Sequence, residues 1–175
     1  MRKANELIGK TIVQQGSGER IATVYDVVVD DEVRRVVALL IQTGGWLRDA
    51  RVVPWSRIAS IGDVVLVRGD APVIVKASDT EIADQVKQNV RISGTAIMTD
   101  NGERIGTVGD LFIDDDGRVL GYEVKQGFLS LAGRKFLPVG EVQAVGQDAV
   151  IATTDRLPSV KEAQQKADDQ ASGAG

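Results

Sequence analysis

The chain has 175 residues, 43% of them hydrophobic, with 19 glycines, few aromatics and a formal net charge of −4. It contains no cysteine and no histidine, which removes disulfide stapling, zinc sites built on thiolate or imidazole, and every Cys- or His-based catalytic arrangement. The acidic balance argues against a dedicated nucleic-acid binder, which carries a basic stripe, and no direct DNA binding is expected. Residues 1–76 hold 11 basic and 9 acidic side chains, residues 89–155 hold 6 and 10. An imbalance of this size reads as ordinary solvated surface.

Residues 1–7 form a short lead-in, and Lys10 to Gln15 read as a first strand closed by the turn Gly16-Ser17-Gly18. The charged start Met1 to Glu6 is not followed by an apolar stretch of the secretory kind. The longest apolar run, Val36 to Ile41, is too short to cross a bilayer, so a cytoplasmic chain is expected. Arg20 to Asp30 is the next strand, with Tyr25, Val27 and Val29 on one face and Val24, Asp26 and Val28 on the other. Both faces are largely apolar, so the strand is covered on both sides or bent by a bulge near Ala22. A tight turn at Asp30-Asp31-Glu32-Val33 leads into a return strand, Arg34 to Thr43.

A loop follows, then a short strand from Ala50 ended by Pro54, which cannot continue a ladder. Trp55-Ser56-Arg57-Ile58 reads as a single helical turn, and Ile61 to Val67 supplies closing strand. In the stretch 77–88, Ser78 or Asp79 is placed to cap a short helix carrying Ile82 and Val86 at i and i+4.

The chain then writes itself again. Gly18-Glu19-Arg20-Ile21-Ala22-Thr23-Val24-Tyr25-Asp26 returns as Gly102-Glu103-Arg104-Ile105-Gly106-Thr107-Val108-Gly109-Asp110. At an offset of 84, read without a gap, Ile8 falls on Ile92, Thr11 on Thr95, Arg34 on Arg118, Gln42 on Gln126, Leu47 on Leu131, Pro54 on Pro138 and Gly62 on Gly146. The organisation is therefore a first module at 1–76, a linker at 77–88, a second module at 89–155 and a flexible or frayed helical tail at 156–175. Each module of about six short strands at hairpin spacing favours a small antiparallel barrel. The fold class is all-β, two tandem six-stranded barrels with a short helical linker.

Each copy resembles the PRC-barrel domain, the small β-barrel in the cytoplasmic part of the photosynthetic reaction-centre H subunit and at the C-terminus of the bacterial ribosome maturation factor. The resemblance rests on the Gly-Glu-Arg-Ile-(Ala/Gly)-Thr-Val-x-Asp segment, the aliphatic-Asp-Asp end of that strand, the Arg-led return strand, and the steps Val53-Pro54 and Leu137-Pro138. It implies a module of larger assemblies, such as ribosomal particles or membrane machinery approached from the cytoplasmic side. Neither the transmembrane helix of the one relative nor the separate N-terminal domain of the other is expected here, so neither role carries over directly.

No catalytic, cofactor-binding or metal-binding residue is assigned from the sequence, and no enzyme is expected. Asp114-Asp115-Asp116-Gly117 invites a calcium reading, but it lacks alternating ligands and a distal Glu, and acidic residues before Gly are what a hairpin turn selects. Asp26 and Asp110 occupy the same place in both copies and read as structural carboxylates bonded to backbone amides or paired with Arg20 and Arg104. The candidate partner-binding residues lie in the loop before the proline-ended strand: Trp46, Leu47 and Arg48 in the first copy, Phe128, Leu129 and Leu131 in the second. Large apolar side chains between glycines in a loop are candidate interface anchors, with plugging of a barrel end as the competing role.

The reading is a non-catalytic interaction or assembly module with a protein partner, acting by docking of barrel faces and apolar loops. A ribosome- or RNA-processing factor is the alternative, and a ligand site in the joint between barrels is the second. Association with a membrane complex or a ribosomal particle, and self-association, are left open.

Overall fold

The computed structural model describes residues 1–42, 50–69, 73–88, 92–127 and 133–172. The chain folds as two compact units, one of Arg2–Val90 with Asp115–Arg118, the other of Met1, Arg91–Asp114 and Val119–Gly175.

In the first unit, β1 (Arg2–Lys3) and a 3-10 turn lead to β2 (Thr11–Gln14), β3 (Arg20–Thr23), β4 (Asp26–Val29), β5 (Val36–Gln42), β6 (Arg51–Pro54), β7 (Ile58–Ile61), β8 (Val65–Val67) and β9 (Val75–Lys76). Pairing runs β3-β2-β8-β7 and β4-β5-β6-β9. The second unit contains β10 (Ala96–Thr99), β11 (Arg104–Ile113), β12 (Val119–Lys125), β13 (Lys135–Pro138), β14 (Val142–Val145) and β15 (Ala149–Ala152), in the order β13-β12-β11-β10-β15-β14. The order is the same in both once β3 and β4 are taken as the two halves of one strand. The ladders are antiparallel except that β2 runs parallel to β8 and β10 parallel to β15.

Short Val- and Ile-rich runs suit a pleated surface packed on one or both faces. Ile12, Leu39, Val52, Val53, Val65 and Val67 are buried in the first unit, and Ile97, Ile113, Tyr122, Leu137 and Val150 in the second. The expected bulge near Ala22 and its counterpart Gly106 is present: the register shifts between Ile12 and Val13 opposite Ala22 and Arg20, and between Ile97 and Met98 opposite Gly106 and Arg104. The strand expected over Arg20–Asp30 breaks in the first unit at Val24-Tyr25, whereas β11 runs through with a second bulge between Val108 and Asp110. Glycine at 109, where the first copy has Tyr25, lets that bulge form without a side chain to place.

The ungapped offset of 84 does not survive the register. Ile12 faces Ala22 and Ile97 faces Gly106, so the first strand is displaced by 85 while its partner is displaced by 84. Val29 faces Val36 and Ile113 faces Val119, so the return strand is displaced by 83. By β6 and β13 the offset is 84 again, since Leu40 faces Val52 and Glu123 faces Phe136. Turns absorb the single residues. The structural partner of Ile92 is therefore Leu7, that of Arg118 is Arg35, and that of Glu123 is Leu40.

The helix expected in the linker is present but starts later than a cap at Ser78 or Asp79 would place it. Those residues lie in a 3-10 turn, Ala77–Asp79, and α1 spans Ala83–Gln88. Val86 is buried with Val28, Ala38, Leu40, Ala50, Val52 and Ala77, and Ile82 packs against the same cluster. This stretch closes the core of the first unit. The tail has an equivalent beginning. Ala77 N–H donates to Ala50 O (2.8 Å), and Val160 N–H donates to Arg134 O (3.1 Å) at the corresponding place. From there α2 (Val160–Ser172) takes the helical form of the two expected for the tail.

Candidate interaction surfaces

Gly9 N–H donates to Val24 O in the first unit and Gly94 N–H to Val108 O in the second, both at 2.8 Å. This shared anchor places Ile8 and Tyr25 on adjoining backbone in the first unit, with Ser93 and Gly109 in their positions in the second. Ile8 is 41% exposed and Tyr25 52% exposed. In the second unit Ser93 Oγ instead donates to Gly109 O (3.2 Å). One copy thus presents two large exposed side chains on adjoining backbone where the other has a serine and a glycine. Single exposed apolar residues are commonplace on protein surfaces; an adjoining pair present in one copy only is more informative.

The second divergence lies inside the sheet. Where β5 carries Leu40 and buried Ala50 precedes β6, β12 carries Glu123 and Arg134 precedes β13. Arg134 Nη1 donates to Glu123 Oε1 at 2.8 Å, and the carboxylate side chain is 3% exposed while the arginine is 61% exposed. Glycine at 109 makes room: a Cβ there would come within 2.9 Å of Glu123 Oε2 and of the Lys125 chain. Phe136 tilts against Phe112 with ring centroids 5.5 Å apart, where the first unit has the smaller Val52 and Val28. Sequence reasoning did not single out Glu123, although an acidic residue in the apolar run Val119–Val124 was the signal available.

Asp26 Oδ1 accepts from Val27 N–H and Asp110 Oδ1 from Leu111 N–H, both at 2.8 Å. Both carboxylates are thus bonded to backbone amide, as the structural reading of these positions expects. Asp114 to Gly117 forms the turn between β11 and β12, with Gly117 at φ +79°. Trp46, Leu47, Arg48, Phe128, Leu129 and Leu131, the sequence-derived partner-binding residues, all lie outside the described residues. Within the first unit a cleft of about 770 Å³ is lined in part by Arg2, Arg35, Trp55, Arg68, Glu81 and Ile82. Its walls carry both signs of charge and so favour neither an anion nor a cation.

At the far edge of the second unit, Phe136 N–H donates to Pro158 O (2.9 Å) and Lys135 forms an antiparallel bridge with Ser159. Pro158–Val160 thereby covers the outer edge of β13 before the helix begins. Ser159 and Glu162 form a capping box: Glu162 Oε2 accepts from Ser159 N–H (2.8 Å) and from its hydroxyl (2.9 Å), and Ser159 Oγ accepts from Glu162 N–H (3.3 Å). The bond from the Ser159 amide, then that from its hydroxyl, holds the Glu162 carboxyl below its ordinary value of 4.5, with Lys135 and Lys166 adding attraction.

No described helix is long and apolar enough to cross a membrane. No curated protein matches the chain significantly. The PRC-barrel domain model matches residues 1–73 and again residues 87–157, one match for each copy of the strand order described above. With most of its length in these two matches, the chain belongs to the PRC-barrel domain family as a tandem of two such domains.

Proposed function

We propose that this chain is a non-catalytic interaction and assembly module of a larger complex, working by docking of barrel faces and loops. The observation that carries the reading is the exposed pair Ile8 and Tyr25 on the first unit. Tyrosine is favoured at binding hot spots because it buries a large rigid area at small entropic cost while keeping a polar tip. The second unit has spent the same position on Ser93 and Gly109, so the two copies are not interchangeable as surfaces. Family membership supports a module that works within an assembly.

The test is a quantitative pull-down from native lysate, with soluble, ribosomal and membrane fractions kept apart. The variant Ile8→Ser/Tyr25→Gly gives the first unit the residues of the second, and Trp46→Ala/Phe128→Ala tests the loops in parallel. The expected result is one complex enriched by the wild type and lost by the folded Ile8→Ser/Tyr25→Gly chain. Equal recovery by wild type and both variants would sink the interaction reading.

A further inference from the structure

We propose that the outer edge of β13 is a docking edge for an extended acidic segment of a partner protein, kept closed in the free chain by Pro158–Val160. This rests on the interaction-module reading and names a partner chemistry for it. An edge strand offers unpaired N–H and C=O groups to any extended chain, and strand addition draws its affinity from those main-chain bonds. Here Phe136 N–H and Arg134 O are the groups on offer, and the tail now occupies both.

The two units differ in how firmly that edge is held. In the first, β9 pairs along β6 through Arg51 with Lys76 and Val52 with Val75, and the helix beyond drives Ile82 and Val86 into the core. In the second, the residues at the positions of Ile82 and Val86 are Gln165 and Asp169, both exposed. At those two positions the helix therefore buries no apolar side chain, and a 13-residue polar helix has little stability of its own beyond its cap. Half-buried Pro158 and Val160 pack on this edge, and the backbone bonds that hold the strap are ones another extended chain can replace one for one.

Charge selects the occupant. Arg134 reaches solvent over much of its side chain, and Lys135 follows it on the edge. The segment now in place already sets a carboxylate, Glu162, in the field of Lys135. An acidic incoming strand keeps that attraction, whereas a basic one meets like charge.

Val160→Pro in the full-length chain separates the strap from the helix. Val160 is the first residue of α2, where proline is tolerated, and the substitution removes the N–H that reaches Arg134 O while exchanging one half-buried apolar side chain for another. The probes are end-blocked peptides (Val-Glu)4, (Val-Thr)4 and (Val-Lys)4, with binding followed by fluorescence anisotropy and by the Phe136 amide resonance. The expected result is at least tenfold tighter binding of (Val-Glu)4 by the variant than by the wild type, with the Phe136 amide shifted. (Val-Lys)4 is expected to bind at least tenfold more weakly than (Val-Glu)4. Equal binding by variant and wild type, or equal binding of the three peptides, overturns the inference. Should Val160→Pro fail to fold, Ser159→Ala/Glu162→Gln loosens the same strap at its cap and is read the same way. A chain that ignores the peptides yet still captures its complex through Ile8 and Tyr25 overturns the docking edge alone.

Discussion

Arg134 Nη1 lies 2.8 Å from Glu123 Oε1, and the carboxylate it meets is almost wholly enclosed by the second unit. In the first unit the same two positions are Leu40 and Ala50, both buried. Removing Arg134 takes a hydrogen bond and a counter-charge from a carboxylate that solvent hardly reaches, whereas removing both residues gives the apolar pair that the first unit has. Arg134→Ala is therefore expected to cost about 2 kcal/mol, below the figure for fully buried pairs because the arginine side chain is mostly exposed. Glu123→Leu/Arg134→Ala should return to within about 1 kcal/mol of the wild type. Urea midpoints of the four chains of the cycle measure it, and additive losses would show that the two residues act independently.

Gly121 faces Pro138 across the ladder, and a Cβ there would collide with Leu137 O and come within 2.5 Å of Phe136 Cζ. The structural counterpart in the first unit is Ala38, beside the smaller Val52. Gly121→Ala should destabilise by about 2 kcal/mol through forced backbone movement. Adding Phe136→Val should recover part of that loss, because it removes the ring but not the carbonyl. Thermal unfolding of the single and double variants decides it; a Gly121→Ala chain as stable as the wild type would contradict the packing described.

Val33 is a buried β-branched residue at φ +52°, in a turn where Asp30 Oδ1 accepts from Arg34 N–H (2.6 Å). The left-handed region costs an L-residue about 1–2 kcal/mol, and glycine is free of that cost. Val33→Ala loses buried surface and keeps the strain, while Val33→Gly loses slightly more surface and sheds it. Glycine should therefore be the milder substitution by about 1 kcal/mol, the reverse of the usual order in strands and helices. Alanine proving milder in chemical denaturation would rule out the strained backbone. The second copy has Gly117 at the corresponding residue number, in a turn one residue shorter.

Glu162 titrates below its ordinary value in the folded chain because Ser159 bonds its ionised form. A depressed carboxyl pKa stabilises the fold above the unfolded value and loses that contribution as pH falls through the folded one. The helical signal of residues 160–172 should thus hold steady above pH 4.5 and decline as pH drops below it. Glu162→Gln, which cannot ionise, should flatten the Glu162 part of that dependence in residue-resolved NMR shifts. An unchanged profile would mean that the capping box does not hold the helix in solution.

Much of this fold is legible in the linear sequence because turns and strand periodicity are local properties. The twice-written Gly-Glu-Arg-Ile segment, the prolines closing β6 and β13, the bulge opposite Ala22 and Gly106, and the i, i+4 pair Ile82 and Val86 all follow from neighbours within a few residues. So does the contrast between Tyr25 and Gly109, visible as a mismatch inside an otherwise matching motif. That local order determined a duplicated β module and its family.

Only the tertiary structure decided which residues correspond and which meet. Counting along the chain sets Ile8 against Ile92, but hydrogen-bonded pairing sets Leu7 there and leaves Ile8 exposed, because bulges and turns each absorb one residue without disturbing the ladder. Pairing likewise sets Glu123 against Phe136 and brings Arg134 to its carboxylate across the sheet. It also lays Pro158–Val160 along β13 while the helix beyond it stays polar. Those are contacts between residues distant in sequence, formed by register and burial, and no local pattern specifies them.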